Sequence, residues 1–424
     1  MSLSQRDGAV AIRDHCLAPE RVDAPIHGGR YRSLFADLPP LRVDERMLHA
    51  LGRPGGPCDL GDEAGGDANV AAVWPFFGQF VAHDITADRS PLVDRADPAR
   101  IRNFRVPRAN LEGVYGTGPI GSPYLYVADD PAKLLLAPTG SDVPRNHEGI
   151  ALIGDPRNDA HLFTSQMLVA FIGLHNRLVD RLREDGVAET VVFDEARRAA
   201  TWHYQHVLLR EFLPGLIGSP LTAELLEHGP RLYRLDEDPY IPFEFADAAY
   251  RYGHAQIRPT YQVNAGFGPV APEHTVDWAL QFEQRAKRID SRLPGPLIAL
   301  PTQISGAAPG TDYASLANRD LQRGNAVGLP SGEDVARRLG VRVLSPEETG
   351  LGWDATPLWF YILKEAEVLA GGDALGPVGG RIVGEVLVGI IDSDPESFRS
   401  VDPEWQPTLP ARDGIFGLAD ILLG

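Results

Sequence analysis

Apolar residues recur at intervals of three to four along much of the chain, whereas strict alternation of apolar and polar positions is nowhere extended. The first spacing is typical of helices that bury one face, and the second is typical of strands. The pattern therefore predicts a mainly α fold. The predicted helices cover residues 74–86, 162–182, 195–218, 243–259, 316–323, 356–369 and 378–391, and a further one begins at Ser331 or Gly332.

The helix predicted over residues 74–86 carries polar side chains among apolar ones. Gln79 and His83 are four residues apart and project from one face, so an amide and an imidazole would share a pocket. Asp84 is rotated by about 100° from His83. Its carboxylate must therefore serve a different partner.

A second polar stretch, residues 103–116, alternates oxygen-bearing side chains at Asn110 and Glu112 with apolar ones. Irregular loops of this kind bind Ca²⁺, which takes about six to eight oxygen ligands. An ordinary surface loop has the same composition. This stretch alone does not decide between the two.

Arg157 stands just before the helix predicted over residues 162–182. A guanidinium at the mouth of a buried helix needs an anion or a polar partner, so Arg157 belongs either to a site or to a structural salt bridge. The histidines within the helices that follow, His175, His203 and His206, are expected to be core residues.

In the helix predicted over residues 243–259, small residues such as Gly253 leave room for a flat group or another helix to approach. His254 would face this cleared surface. Arg251 lies one turn earlier on the same face and could pair with an anionic group of whatever His254 binds.

Composition narrows the choice of partners. Of the 424 residues 43% are hydrophobic and 23% charged, and the formal net charge of −18 argues against nucleic acid or an anionic membrane surface as partner. No apolar run reaches the roughly 20 residues of a membrane span, and no hydrophobic secretion segment follows Met1, so we expect a cytoplasmic protein. With only Cys16 and Cys58 present, a zinc site built on cysteine is excluded, whereas one disulfide between them is not.

Two histidines on separate helices, one of them beside Gln79, suggest a haem site in which one imidazole ligates iron and the other acts on the open face of the haem, where substrate binds. At these residues the chain, from residue 73 onward, resembles the animal-type haem peroxidases of the peroxidase–cyclooxygenase superfamily, which has many bacterial members. The segments that carry the resemblance follow the family's order: Gly78–Asp84, Val106–Gly116, Gly154–Arg157, His175–Arg177 and Arg251–His254.

The resemblance implies a single large helical domain, residues 71–424, that encloses a haem. Residues 1–70, rich in Pro, Gly and Arg, are interpreted as an arm packed on this body. On the open face of the haem the implied catalytic residues are Gln79, His83 and Arg157. On the other face, His254 would ligate the iron and Arg251 would meet a haem propionate.

The resemblance also implies a calcium site. Its ligands would be Asp84, Val106, Arg108, Asn110 and Glu112. The family's threonine ligand is Val106 here, which offers only its backbone oxygen. Asp84 and Glu112 still supply two negative charges, so calcium is expected, although bound more weakly.

Three positions depart from the family pattern around the haem. Ala82 and Ala160 replace two carboxylates that form ester bonds to haem in the mammalian enzymes, so we expect haem b that is held non-covalently and can be extracted, and chloride oxidation is in doubt. Asp320 aligns with an asparagine near the proximal histidine. As acceptor of the His254 N–H, it would increase electron donation to iron. Alternatively, the alignment is off by one residue and Asp320 lies on a solvated face.

Together these features predict a haem peroxidase that reduces H₂O₂ and oxidises small organic donors, bromide or iodide, with a role in the response to oxidative stress; they do not predict an oligomeric state. One alternative is a fatty-acid oxygenase of the same superfamily. Those enzymes need a tyrosine three residues before the proximal histidine, where this chain has Arg251, and Tyr252 is rotated from that position by about 100°. The other alternative is a haem-binding protein without turnover, which need not retain Gln79, His83 and Arg157.

Overall fold

Helices make up most of the regular structure, as the sequence pattern predicts. The computed structural model describes residues 29–88, 101–234, 240–264, 275–302, 306 and 311–424. The longer α-helices are α1 (Glu45–Gly52), α2 (Val73–Ile85), α3 (Leu162–Glu184), α4 (Val192–Val207), α5 (Ser219–His228), α6 (Leu316–Val327), α7 (Gly332–Leu339), α8 (Leu358–Ala370) and α9 (Pro377–Asp392).

Shorter helical segments connect the longer helices. One-turn to two-turn α-helices cover Glu112–Tyr115, Gly118–Gly121, Leu213–Ile217, Phe243–Ala246, Trp278–Glu283, Gly295–Ile298, Pro346–Thr349, Phe398–Val401 and Leu418–Leu422. A π-helical turn covers Leu208–Phe212, and 3₁₀ helices cover Pro123–Leu125, Pro156–Asp159, Ala249–Gln256 and Asp312–Ala314. In the ranges that the structure describes, no helix combines the length and the apolar character needed to cross a membrane.

The strands are short and join distant parts of the chain. They are β1 (Gly29–Arg32), β2 (Asp67–Ala71), β3 (Arg102–Asn103), β4 (Tyr126–Val127), β5 (Asp130–Leu134), β6 (Tyr240–Pro242) and β7 (Arg285–Lys287). β1 lies between β3 and β6, antiparallel to β3 with Gly29 opposite Asn103, and parallel to β6 with Arg30 opposite Tyr240. β2 pairs with β7 and β4 with β5, both antiparallel.

The described part of the predicted arm, residues 29–70, packs on the rest of the chain. β1 pairs with β6, and α1 packs against α6 through the buried side chains of Leu48 and Leu51. Cys58 is buried as well, and burial raises the pKa of its thiol. Cys16 and the remainder of residues 1–28 lie outside the described residues, so the question of a bridge between Cys16 and Cys58 does too.

Helix α2 is fixed against α3 by aromatic stacking. The rings of Phe76 and Phe163 stack with centroids 3.9 Å apart, and those of Phe80 and Phe171 with centroids 4.7 Å apart. All four side chains are buried. Offset stacking of this kind adds to the hydrophobic gain and fixes the rotation of α2 about its axis.

Two of the predicted helices are interrupted. The helix predicted over residues 195–218 passes through the π-helical turn, and the one predicted over 243–259 is an α-helical turn followed by the 3₁₀ helix Ala249–Gln256. Ala248 separates those two segments with φ −140° and ψ −77°. Because a 3₁₀ helix has about three residues per turn, Arg251 and His254 still lie on one face.

The contact of α1 with α6 generates a stability prediction. A Cβ at Gly52 would lie 2.7 Å from the backbone nitrogen of Asn318 at the start of α6, which real Cβ atoms do not tolerate. The substitution Gly52→Ala should therefore reduce the free energy of unfolding by about 1–3 kcal/mol, measured by urea denaturation. The matched control is Gly215→Ala, where a Cβ meets nothing within 4 Å, and a neutral or slightly stabilising effect is expected. Equal losses in both variants would contradict the packing argument.

Candidate functional site

The predicted pair on α2 shares one face. Within Val73–Ile85 the residues that are not buried are Trp74, Gln79, Ala82 and His83. The last three follow the three-and-four spacing of one helical stripe. This stripe is the partly exposed side of a helix that is otherwise surrounded by protein.

His83 is held by a neutral amide. Its Nδ1 lies 2.7 Å from Oδ1 of Asn158, so Nδ1–H donates and Nε2 carries the lone pair. Burial lowers the pKa of His83 to about 4, with the nearby Arg157 charge acting in the same direction and the Asn158 contact opposing it. The ring is therefore a neutral base at pH 7. Asn158 was not among the predicted site residues; its only signal in the sequence is that it follows Arg157.

Gln79 contacts a histidine that the sequence pattern did not single out. Nε2 of His161, the N-cap residue of α3, lies 2.9 Å from Oε1 of Gln79. Burial lowers the pKa of His161 to about 4, so this ring is neutral and its Nε2–H donates to the amide oxygen. The NH₂ of Gln79 remains as a donor on the partly exposed stripe.

Arg157 is anchored by the carboxylate of Asp155. Oδ1 of Asp155 accepts the backbone N–H of Arg157, and Oδ2 lies 2.7 Å from its Nη2. The same Nη2 donates to the carbonyl oxygen of His83 at 2.8 Å. Burial would raise the pKa of Asp155, but the hydrogen bonds and charge of Arg157 together with a bond from Arg105 hold that pKa well below its usual range. Arg157 is thus salt-bridged and also placed beside His83.

His254, on the 3₁₀ helix Ala249–Gln256, is held by a carboxylate. Its Nδ1 lies 2.6 Å from Oδ2 of Asp320, a fully buried residue of α6. Oδ1 of Asp320 accepts from Nη1 of Arg251 at 3.0 Å, and Nε of Arg251 donates to the carbonyl of Ala246. Burial would raise the pKa of Asp320, but its contacts with His254 and Arg251 keep that pKa below its usual value. The contact expected between Asp320 and His254 is present, and Arg251 is engaged with Asp320.

The two imidazoles fit a haem. Each has one nitrogen occupied by a protein acceptor, and among the described residues neither Nε2 makes a hydrogen bond. The space beside His254 is open, since a Cβ added at Gly253 would meet nothing within 4 Å. A metal-ligating histidine whose other nitrogen donates to a carboxylate is a common arrangement.

At positions 82 and 160, where the mammalian enzymes have ester-forming carboxylates, this chain has alanine. Ala82 lies on the partly exposed stripe, and Ala160 is exposed at the end of the 3₁₀ helix Pro156–Asp159. The neighbouring Asp159 is paired with Arg145 at 2.8 Å. Neither position therefore offers a carboxylate for an ester bond.

The predicted calcium ligands do not form a cage for a cation. Glu112 accepts from the guanidinium of Arg105 at 2.8 Å, and Oδ1 of Asn110 accepts the backbone N–H of Glu112. The carbonyl of Val106 accepts the N–H of Arg108, whose side chain points to Asp394 at 3.5 Å.

One buried oxygen of Asp84, on α2 next to the loop, has no hydrogen bond of ordinary geometry, although the Tyr204 hydroxyl lies near this carboxyl; this oxygen is the feature that favours a cation. Throughout the described part of the chain, no three His, Cys, Asp or Glu side chains come together as a metal site. One free carboxylate oxygen falls far short of the about six to eight oxygen ligands that Ca²⁺ takes. With Arg105 bound to Glu112 and Asp155, the donor set of the loop therefore does not fit calcium.

The remaining histidines of the long helices are core residues. His175 is fully buried, with Nδ1 3.1 Å from the hydroxyl of Tyr115 and Nε2 2.8 Å from the carbonyl of Ala132. His203 and His206 are buried in α4. They take no part in the site.

Solved structures with the same architecture include peroxidase A from Dictyostelium discoideum, with a TM-score of 0.65, 15% identity, and coverage of 94% of this chain and 93% of that one. Fatty acid alpha-dioxygenase from Arabidopsis thaliana gives a TM-score of 0.62 at 13% identity, covering 91% of this chain and 76% of that one. At these identities the likeness shows the fold alone.

Sequence comparison finds relatives that are mostly much longer. The human probable oxidoreductase PXDNL is 30% identical over 177 residues, 41% of this chain and 12% of that protein. Peroxidase skpo-1 from Caenorhabditis elegans is 24% identical over 400 residues, 79% of this chain and 60% of that protein. The family description "Animal haem peroxidase" matches residues 93–344, more than half of the chain. The chain belongs to the animal haem peroxidase family, within the peroxidase–cyclooxygenase superfamily.

Proposed function

We propose that this protein is a haem-dependent peroxidase that binds haem b non-covalently, reduces H₂O₂, and oxidises small organic donors, bromide or iodide. The observation that carries the proposal is the pair of oriented imidazoles. His83 is held by an amide and His254 by a carboxylate, and each leaves Nε2 free. One arrangement suits a neutral base and the other a metal ligand.

His254 would hold the haem iron, with Asp320 as the acceptor that orients its ring. Haem would supply the redox chemistry that cleaves the O–O bond and accepts electrons from the donor. Asp320 is a positioning residue: its negative charge on Nδ1–H gives the ring imidazolate character and raises its electron donation. Arg251 compensates that charge from the other carboxylate oxygen.

His83 would move the proton. Its free Nε2 takes a proton from H₂O₂ and returns it to the departing oxygen, which is general base followed by general acid catalysis. The Asn158 amide keeps the other nitrogen protonated, so Nε2 is the nitrogen available as base. Because the pKa of His83 is about 4, the ring is unprotonated at neutral pH and accepts the proton without first losing one.

Arg157 would stabilise the negative charge that develops as the O–O bond breaks. Asp155 fixes the guanidinium through Nε and Nη2, and among the described residues its Nη1 has no hydrogen-bond partner. The NH₂ of Gln79, whose oxygen is held by His161, would orient water, peroxide or a halide.

A fatty-acid oxygenase is the competing enzyme, because two neighbours in fold are fatty acid alpha-dioxygenases from Arabidopsis thaliana and Oryza sativa. The residue three positions before His254 is Arg251, which has no phenol and is bound to Asp320. The phenol that the oxygenases require is therefore absent from this position, which favours a peroxidase.

A haem protein without turnover is the other competitor. Gln79, His83 and Arg157 would be unnecessary in such a protein. Each is held by a specific partner: His161, Asn158 and Asp155 respectively. Polar side chains held by specific partners around the partly exposed stripe of α2 favour a catalytic site.

The ligand assignment is tested by spectroscopy. His254→Ala should abolish stoichiometric haem binding, because no other nitrogen would remain at the iron, and absorbance titration with haem measures the loss. The control is Asp320→Asn, which should keep haem but raise the iron reduction potential, since a neutral amide donates less charge through the ring. A full Soret band in His254→Ala would overturn the assignment.

The absence of ester carboxylates predicts extractable haem. Acidified organic solvent should move all haem from the holoprotein into the organic phase, because Ala82 and Ala160 cannot bond to it. Absorbance of both phases and the intact mass of the chain measure the outcome. A chain whose mass retains haem would mean that another residue forms a covalent bond.

The proposed activity is tested through His83. The holoprotein should oxidise a phenol, bromide or iodide with H₂O₂, and the rate constant for its reaction with peroxide should fall only near pH 4, where His83 gains its proton. In Asn158→Asp the new carboxylate stabilises the imidazolium and raises the pKa of His83. The fall should therefore move to higher pH by about a unit or more, as measured by stopped-flow absorbance.

Asn146→Asp is the matched control, because Asn146 caps an exposed turn through the N–H of Glu148. Its pH profile should equal that of the parent. An unchanged profile in Asn158→Asp would remove His83 as the base. Oxygen uptake with a polyunsaturated fatty acid, with no peroxide-dependent turnover, would favour the oxygenase instead.

A further inference from the structure

The loop expected to bind calcium closes around a guanidinium. Arg105 is 8% exposed, and its Nη1 lies 2.8 Å from Oε1 of Glu112. Its Nη2 lies 2.6 Å from Oδ2 of Asp155. One buried cation therefore joins the loop to the turn that carries Arg157.

The charges around Arg105 are those that a metal would otherwise balance. Asp84, buried beneath the loop, accepts the N–H of Leu111 at 3.1 Å; burial raises the pKa of its carboxyl, and this hydrogen bond and the charge of Arg105 oppose the rise only in part. Glu112 and Asp155 are paired with Arg105 directly. A divalent cation bound by Asp84 and Glu112 would stand next to this guanidinium, and two like charges at such range repel strongly in a protein interior.

Buried carboxylates need a neighbouring positive charge, and arginine supplies that charge together with hydrogen bonds of fixed direction. The planar guanidinium offers five donors in a fixed fork, whereas Ca²⁺ needs a sphere of oxygen ligands. The loop provides one partner for this fork, Glu112, and the turn provides the other, Asp155; while the guanidinium occupies them, these oxygens are not available to a metal.

We propose that Arg105 takes the place of calcium in this protein. The guanidinium joins Glu112 to Asp155, stabilises the loop, and makes the fold independent of a divalent cation. The proposal rests on the family assignment and on these contacts, and not on peroxidase turnover.

Arg105 is also a positioning residue for Arg157. Asp155 accepts from both arginines, and Arg105 occupies Oδ2 together with Nη2 of Arg157. The hydrogen bond from Arg105 fixes the carboxylate of Asp155, and the fixed carboxylate in turn orients the guanidinium of Arg157. In a calcium-dependent homologue of this fold the metal would have to perform that task.

The parent protein gives the first test. The full chain, purified without chelator, should contain less than about 0.1 calcium per chain by elemental analysis. Neither EGTA nor about 1 mM Ca²⁺ should move its thermal unfolding midpoint. One calcium per chain, with a loss of stability in EGTA, would overturn the proposal, and this result requires neither haem nor turnover.

The second test removes the guanidinium while keeping similar bulk. In Arg105→Met the carboxylates of Asp84, Glu112 and Asp155 lose their cation, so the loop should gain a metal site. About 1 mM Ca²⁺ should then raise the unfolding midpoint by about 3–6 °C. Tb³⁺, used as a luminescent probe, should bind saturably and be displaced by Ca²⁺ in this variant but not in the parent.

Arg183→Met is the matched control. Arg183 also joins two carboxylates, those of Asp130 and Glu189, but its side chain is 28% exposed and lies away from the loop. This variant should show no response to Ca²⁺ or Tb³⁺. A response equal to that of Arg105→Met would mean that unpaired carboxylates in general bind the probe, and would overturn the proposal.

The positioning role has its own readout. With haem bound, Arg105→Met should react with H₂O₂ about tenfold more slowly at an unchanged haem spectrum, and Ca²⁺ should restore part of the rate. A rate that is lost without rescue, or not lost at all, would count against positioning. If Arg105→Met does not fold, metal content and chelator response of the parent still decide whether calcium is needed.

Discussion

The buried carboxylate of Asp155 is the contact on which the arrangement around His83 depends. It is 1% exposed and accepts hydrogen bonds from the backbone and guanidinium of Arg157 and from the guanidinium of Arg105. An ionised carboxylate is stable in a protein interior only when it is paired in this way. Nη2 of Arg157 also donates to the carbonyl of His83. The charge of Asp155 therefore fixes three parts relative to one another: helix α2, the turn that carries Arg157, and the loop that carries Arg105.

The two faces of the proposed haem site use different acceptors for the same ring. Asn158, a neutral amide, orients His83 without stabilising its protonated form, and burial lowers the pKa of the ring to about 4. Asp320, a carboxylate, lies 2.6 Å from His254 and would favour electron donation from that ring to a bound metal. A base must be neutral and a ligand must be electron-rich, so the choice of acceptor suits each role.

The family's architecture persists where the sequence has changed greatly. Peroxidase A shares 15% identity with this chain yet covers 94% of it. Packing of helices tolerates substitutions that keep volume and pattern, whereas linkage to a cofactor depends on single atoms. Ala82 and Ala160 occupy a helix and the end of a turn without a carboxylate, which is the basis for proposing haem that is not covalently bound.

The sequence by itself determined the helical class and which residues share a helix face, because a period of about 3.6 places Gln79 and His83 together whatever surrounds them. The family motifs added Asp320, which spacing alone would not have selected. Only the tertiary structure decided the partners. His83 and Asn158 are 75 residues apart, and Gln79 and His161 are 82 apart, so no local pattern joins them. The role of Arg105 is likewise hidden in the sequence, because this cation of the loop pairs with Glu112 and with Asp155, which lies on a turn 50 residues away. Periodicity records burial along one element, whereas hydrogen bonds and ion pairs depend on where separate elements meet.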